Sequence, residues 1–166
     1  MSEREFDVVV FGATGFTGAL VAEYLLERYG CGRDLRWAIA GRSRSKLDAL
    51  KSQLGEGASA LETIVADSGD GPSLAELARR SHVVISTVGP YALYGSALVA
   101  ACVEAGTDYC DLAGEVQWIR RMIDRHHERA AETGAHIVHC CGFDSIPMDM
   151  GVYFLQQEAQ QRYGAY

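Results

Sequence analysis

The chain changes its hydrophobic period repeatedly, from runs too short and too β-branched for helices to stretches repeating every three or four residues. Residues 6–11 form the first such run and stop at Gly12, as suits a strand buried on both faces of a parallel sheet. Over 16–29 the period lengthens. Val21 and Leu25 recur at four, as do Ala22 and Leu26, with Glu23, Glu27 and Arg28 elsewhere. The same alternation predicts further strands over 35–40, 61–66, 82–88, 108–112 and 135–139. Helices are predicted from the N-cap Ser43 to about residue 54, over 72–80 with Pro72 in the first turn, and over 92–105 up to Gly106. Two more are predicted, over 115–133 up to Gly134 and from about Ile146 onward. Parallel neighbours need crossover connections, so about six strands separated by helices predict an α/β fold. It is a doubly wound parallel sheet with helices on both faces and its crevice at the carboxyl ends of the strands.

The first strand-to-helix junction reads Gly12-Ala13-Thr14-Gly15-Phe16-Thr17-Gly18. A pyrophosphate bound by a Rossmann-type sheet must reach backbone N–H groups at a helix N-terminus, where the dipole also favours anions. Gly12 permits the tight turn, Gly15 removes a Cβ where phosphates approach, and Gly18 lets the helix pack closely on the sheet. The spacing is GxxGxxG, not GxGxxG; a purely structural turn is the other reading. The second strand bears on which nucleotide binds. An NAD-selective site carries an acidic residue there for the ribose 2′-hydroxyl, whereas this chain has Ala40-Gly41-Arg42-Ser43. Arg42 can fork onto a 2′-phosphate, with Ser43 and either Lys46 or Arg44 adding donors, so NADP(H) is expected in preference to NAD(H); a solvated loop arginine is the plainer alternative. Asp67, ending the third strand, suits either the adenine amino group or a loop cap. Thr87, Val88, Gly89, Pro90 and Tyr91 end the fourth strand where the nicotinamide half would lie.

Composition narrows the classes. A net charge of −7 argues against nucleic acid, although Arg33, Arg36, Arg42, Arg44, Lys46 and Lys51 make residues 33–51 locally basic. No apolar run is long enough for a transmembrane segment, and the charged opening from Met1 to Asp7 does not read as a signal peptide. Five cysteines without CxxC spacing suggest a reducing cytoplasm, no disulfide framework and no metal site. His136 and His139 would point to opposite faces of a strand, and His126 and His127 into solvent. Cys140 and Cys141 are expected as buried thiols at a strand end. The only lysines, Lys46 and Lys51, have no tyrosine four residues before them, which excludes the short-chain dehydrogenase mechanism for this segment.

Three further runs carry a resemblance: Val88-Gly89-Pro90-Tyr91-Ala92-Leu93-Tyr94-Gly95, Tyr109-Cys110-Asp111-Leu112-Ala113-Gly114-Glu115, and Cys141-Gly142-Phe143-Asp144-Ser145-Ile146-Pro147. With the opening glycine motif and Ala40-Gly41-Arg42, they resemble the saccharopine dehydrogenase-like oxidoreductases, a family that includes mycobacterial trans-acting enoyl reductases. The resemblance implies an NAD(P)-binding domain over 1–145 and, over 146–166, the start of a helix leading to a C-terminal substrate part. It implies hydride transfer to a small-molecule or lipid-linked substrate and a homo-oligomer as one assembly. Tyr94, Glu115 and Asp144 become the candidates near the substrate, Asp144 alternatively as a cap of the last helix. The other readings are a non-catalytic NADP sensor of the NmrA-like kind and a cofactor-binding fragment without turnover of its own.

Overall fold

The alternating runs fold into one parallel sheet flanked by helices. The structure, a computed structural model, describes residues 4–31 and 34–165; Met1 to Glu3 of the charged opening, and Arg33 of the basic stretch, lie outside the described residues. The strands are β1 (Phe6–Phe11), β2 (Trp37–Gly41), β3 (Glu62–Val65), β4 (Ser81–Ser86), β5 (Asp108–Asp111) and β6 (Ile137–Val138). Their order in the sheet is β3-β2-β1-β4-β5-β6. Central β1 pairs with both halves: Val9 lies opposite Ala38 on one side and Val84 on the other. The chain therefore reverses its direction of travel at β1 and β4, leaving a crevice at their carboxyl ends.

The helices are α1 (Phe16–Tyr29), α2 (Arg44–Leu54), α3 (Gly71–Arg80), α4 (Tyr91–Tyr94), α5 (Ser96–Ala105), α6 (Val116–Thr133) and α7 (Ile146–Tyr163). Alternation along β1 divides the core. Val10 packs with Ala22 and Leu25 of α1 and with Leu47 and Leu50 of α2. Val9 and Phe11 pack with Leu74 and Leu77 of α3, Leu98 and Val99 of α5, and Trp118 and Met122 of α6. Each Val, Leu, Phe or Met side chain among them, fully buried, contributes roughly 1.5–3 kcal/mol of transfer free energy. The α1–α2 face is covered only as far as β1. Beyond it Val83, Ile85, Cys110 and Leu112 are half-buried, and Val138 is 51% exposed. No residue of α7 is buried, and among the described residues no helix is long and apolar enough to cross a membrane.

The structure departs from the sequence-based expectation at three places. The helix expected over 92–105 is two, broken at Gly95, where an added Cβ would lie 2.7 Å from Trp118 Cζ2 and 2.9 Å from the Tyr91 carbonyl oxygen. The last strand, expected over 135–139, keeps only Ile137–Val138. Ala135 is taken by the end of α6, its N–H bonding the Ala130 carbonyl at 3.0 Å, and His139 turns to Asp111. A short 3₁₀ turn, Glu56–Ala58, follows α2 and has no periodic signal to announce it.

Candidate functional site

The carboxyl ends of β1 to β4 surround a cleft of about 270 Å³. Its floor is the glycine turn, represented by Phe11, Gly12, Thr14 and Gly15. On the β2–β3 side it is bordered by Gly41, Arg42, Ala66 and Ser68, and on the β4 side by Thr87, Val88, Gly89 and Tyr94.

The turn is built from backbone. Gly12 has φ +88°, and its N–H and that of Ala13 bond the Ala40 carbonyl at 2.9 and 3.2 Å. Across the sheet Thr87 Oγ1 lies 3.2 Å from both the Phe11 and Gly12 carbonyls. At Gly18 an added Cβ would sit 2.3 Å from the Gly12 oxygen and 2.7 Å from Ala13 Cα, so helix and turn touch with no space between them. Gly15 differs. Its φ of −84° and ψ of 167° suit any residue, and an added Cβ would meet nothing nearer than the Gly12 oxygen at 3.4 Å. Neither backbone nor packing requires glycine there. Gly15 is also the N-cap of α1 and offers no side chain to the first-turn amides, which a helix leaves without intrahelical partners. By contrast α2 is capped by its own Ser43, whose Oγ accepts the Lys46 N–H at 3.4 Å.

Several predicted residues turn out to be engaged elsewhere. Ser43 caps α2, and Lys46 is exposed away from the cleft border. Arg44 reaches Thr63 Oγ1 on β3, leaving Arg42 as the exposed guanidinium on the cleft wall. Phe16 is 85% exposed and, like Thr17, does not border the cleft. Asp67 takes the loop-cap alternative: its Oδ1 accepts the Gly69 N–H at 2.8 Å. Pro90 follows a cis peptide bond and precedes α4. Tyr91, expected at the cleft, is buried beneath it. Its hydroxyl donates to the Ser86 carbonyl at 3.0 Å and accepts the Leu112 N–H at 3.2 Å. Burial pushes that hydroxyl up to about 12, which keeps it protonated for both bonds.

The 109–115 run is likewise largely structural. Asp111 has no exposed surface and its carboxylate meets four donors: Tyr109 Oη at 2.9 Å, His139 Nδ1 at 2.7 Å, Ala113 N–H at 3.0 Å and Cys140 N–H at 3.2 Å. Burial and the neighbouring Asp111 charge drive the Tyr109 phenol far above its ordinary range. Glu115 does not border the cleft; its two oxygens accept the Tyr91 and Ala92 N–H groups at 2.6 and 2.9 Å. Asp144 is exposed, and the cap of α7 is Ser145, with no side-chain cap bond. Cys140 and Cys141 are half-buried, not sealed in the core. Of the three substrate-side candidates only Tyr94 borders the cleft. Sequence reasoning missed Phe11, Gly41, Ala66 and Ser68, although each sits at the carboxyl end of a predicted strand, where the crevice rule points.

A parallel sheet in this order, with a glycine turn and a helix lacking a side-chain cap at its point of reversal, defines a dinucleotide-binding domain. The family model described as the saccharopine dehydrogenase NADP binding domain matches residues 8–138, and the chain belongs to that family. Among curated relatives, a trans-acting enoyl reductase of Mycobacterium tuberculosis is 49% identical over 158 residues, 95% of this chain and 37% of the relative. A trans-acting enoyl reductase of Mycobacterium ulcerans is 48% identical over 160 residues, 96% of this chain and 38% of the relative. The chain thus spans little more than a third of these relatives. Among solved structures, apo saccharopine dehydrogenase (L-Glu forming) from Saccharomyces cerevisiae superposes with a TM-score of 0.73 at 19% identity, over 94% of this chain and 32% of that one. That likeness is one of fold.

Proposed function

We propose that the cleft holds NADP(H) in preference to NAD(H), and that the chain is the cofactor-binding unit of a reductase acting on the double bond of a small or lipid-linked acyl substrate. The observation that carries the reading is Gly15, a glycine that neither φ nor packing demands, set at the helix end where a Cβ would stand against an approaching diphosphate. Arg42 supports the phosphorylated ribose: it is exposed on the β2 side of the cleft, and among the described residues no carboxylate borders the cleft to repel a phosphate. The substrate class is carried over from relatives named trans-acting enoyl reductase.

A bound reduced nicotinamide supplies a hydride. The residues of this chain hold the diphosphate against the first turn of α1, select the ribose through Arg42, and wall the opposite end with Thr87, Gly89 and Tyr94. Because Tyr94 alone of the substrate-side candidates borders the cleft, the 166-residue chain is expected to bind cofactor without turning it over.

Fluorescence titration of the chain with NADPH and NADH tests this. NADPH is expected to bind at least tenfold tighter, about 1.4 kcal/mol, and Arg42→Ala to remove most of that margin, since a charge-assisted bond contributes about 1.5–3 kcal/mol. Equal affinities in the wild type would overturn the preference. A relative-length protein that never oxidises NADPH across enoyl-thioester substrates would overturn the reductase assignment.

A further inference from the structure

We infer that Glu115 is a positioning residue, fixing α4 so that Tyr94 closes the β4 side of the cleft over a bound dinucleotide; this rests on the dinucleotide reading above. α4 is a single turn of four residues, and one turn does not hold its shape in water unaided. Its supports come from outside. Glu115, at the junction of β5 and α6, places one oxygen on the Tyr91 N–H at 2.6 Å and the other on the Ala92 N–H at 2.9 Å, satisfying two amides that the turn itself leaves without partners. The Tyr91 hydroxyl ties the same turn down to β4 and to Leu112. At its far end Gly95 lies against the Trp118 ring, and Trp118 Nε1 donates to Ser96 Oγ at 2.9 Å.

Glu115 is therefore spent on the backbone of another element. With both oxygens accepting amide protons and no share in the cleft border, it is not placed to exchange a proton with a ligand. What it controls is the last residue of α4. Tyr94 is 45% exposed, and it borders the cleft across the glycine turn from Arg42. The two walls are separate, so loosening α4 weakens grip on the whole nucleotide without altering the choice between its phosphorylated and unphosphorylated forms.

The test is a double-mutant cycle on the full chain, read by NADPH and NADH titration with thermal melting as the control for folding. Tyr94→Ala and Glu115→Ala are each expected to weaken NADPH binding about fivefold, and the double variant by about the same factor, because both remove one support. The NADPH to NADH ratio stays at the wild-type value in all three. Glu115→Gln, which keeps an oxygen for one of the two amides, recovers part of the affinity. Should Glu115→Ala fail to fold, the glutamine variant takes its place in the cycle. A folded Glu115 variant with wild-type affinity, or losses that multiply in the double variant, overturns this inference alone. A wild-type chain that binds neither nucleotide overturns the dinucleotide reading, and this inference with it.

Discussion

Adding one methyl group to each glycine of the 12–18 turn is expected to cost stability at two of them and cofactor affinity at the third. At Gly12 the added Cβ would meet Val88 Cγ2 at 2.6 Å in a backbone of φ +88°, so Gly12→Ala should cost about 1–3 kcal/mol in strain. At Gly18 the obstruction is backbone at 2.3 Å, with no side-chain end to yield, and urea denaturation should report a loss at or above the roughly 1–3 kcal/mol typical of overpacking. Gly15→Ala should melt like the wild type yet lose most of its NADPH affinity; unchanged affinity would count against a diphosphate at that spot. Asp7 accepts from Arg36 Nη2 at 2.6 Å and from its backbone N–H at 2.9 Å, and these bonds hold its carboxyl below the ordinary aspartate value. A depressed carboxyl contributes stability that is present above the unfolded value, about 3.9, and lost as pH falls through the folded one. Asp7→Asn should accordingly flatten the acid limb of stability below about pH 4, as read by unfolding midpoints across pH. The glycine motif and Arg42 were legible in the sequence because their spacing from strand ends is local. Asp67 could be read either way, its cap being a local bond to Gly69; Tyr91 and Glu115 were not legible, because what fixes each is a hydrogen bond or a burial decided in three dimensions.

At the level of elements, hydrophobic period located the strands and helices, and Ser43 and Gly106 marked their ends where expected. It failed where tertiary contact overrode it. Residues 92–105 read as one helix, but the helix is interrupted at Gly95, which lies against Trp118 from α6. Gly95→Ala, with its Cβ 2.7 Å from the indole, should lower stability by about 1–3 kcal/mol in chemical denaturation. Trp118→Ala by itself should cost about 3–5 kcal/mol, since the ring is a buried core side chain, but in its background the added cost of Gly95→Ala should shrink, because the obstructing ring is gone. α7 shows a different limit of the pattern. Val152, Tyr153, Phe154 and Leu155 are consecutive and each at least 59% exposed, so they cover every side of a helical turn and leave no polar face to read.

For the molecule as a whole, two packed cores meet at β1, and the proposed boundary near residue 145 follows from their reach: both lie within the sheet and α1–α6, and α7 adds no buried residue. Deleting 146–166 is expected to leave the melting temperature within a few degrees of the full chain while reducing binding of a hydrophobic dye; a large drop in melting temperature would move that boundary. The doubly wound class was legible because period and crossover length determine it, whereas the half-open face beyond β1 was not, since nothing local reveals what fails to cover a strand. The central place of β1 has a consequence in time as well as in space. Its neighbours are β2, made soon after it, and β4, whose Val84 must come to lie beside Val9. A chain still leaving the ribosome thus displays its glycine turn long before Thr87 and Gly89 exist to wall it, and gains a nucleotide cradle only when the second half of the sheet arrives.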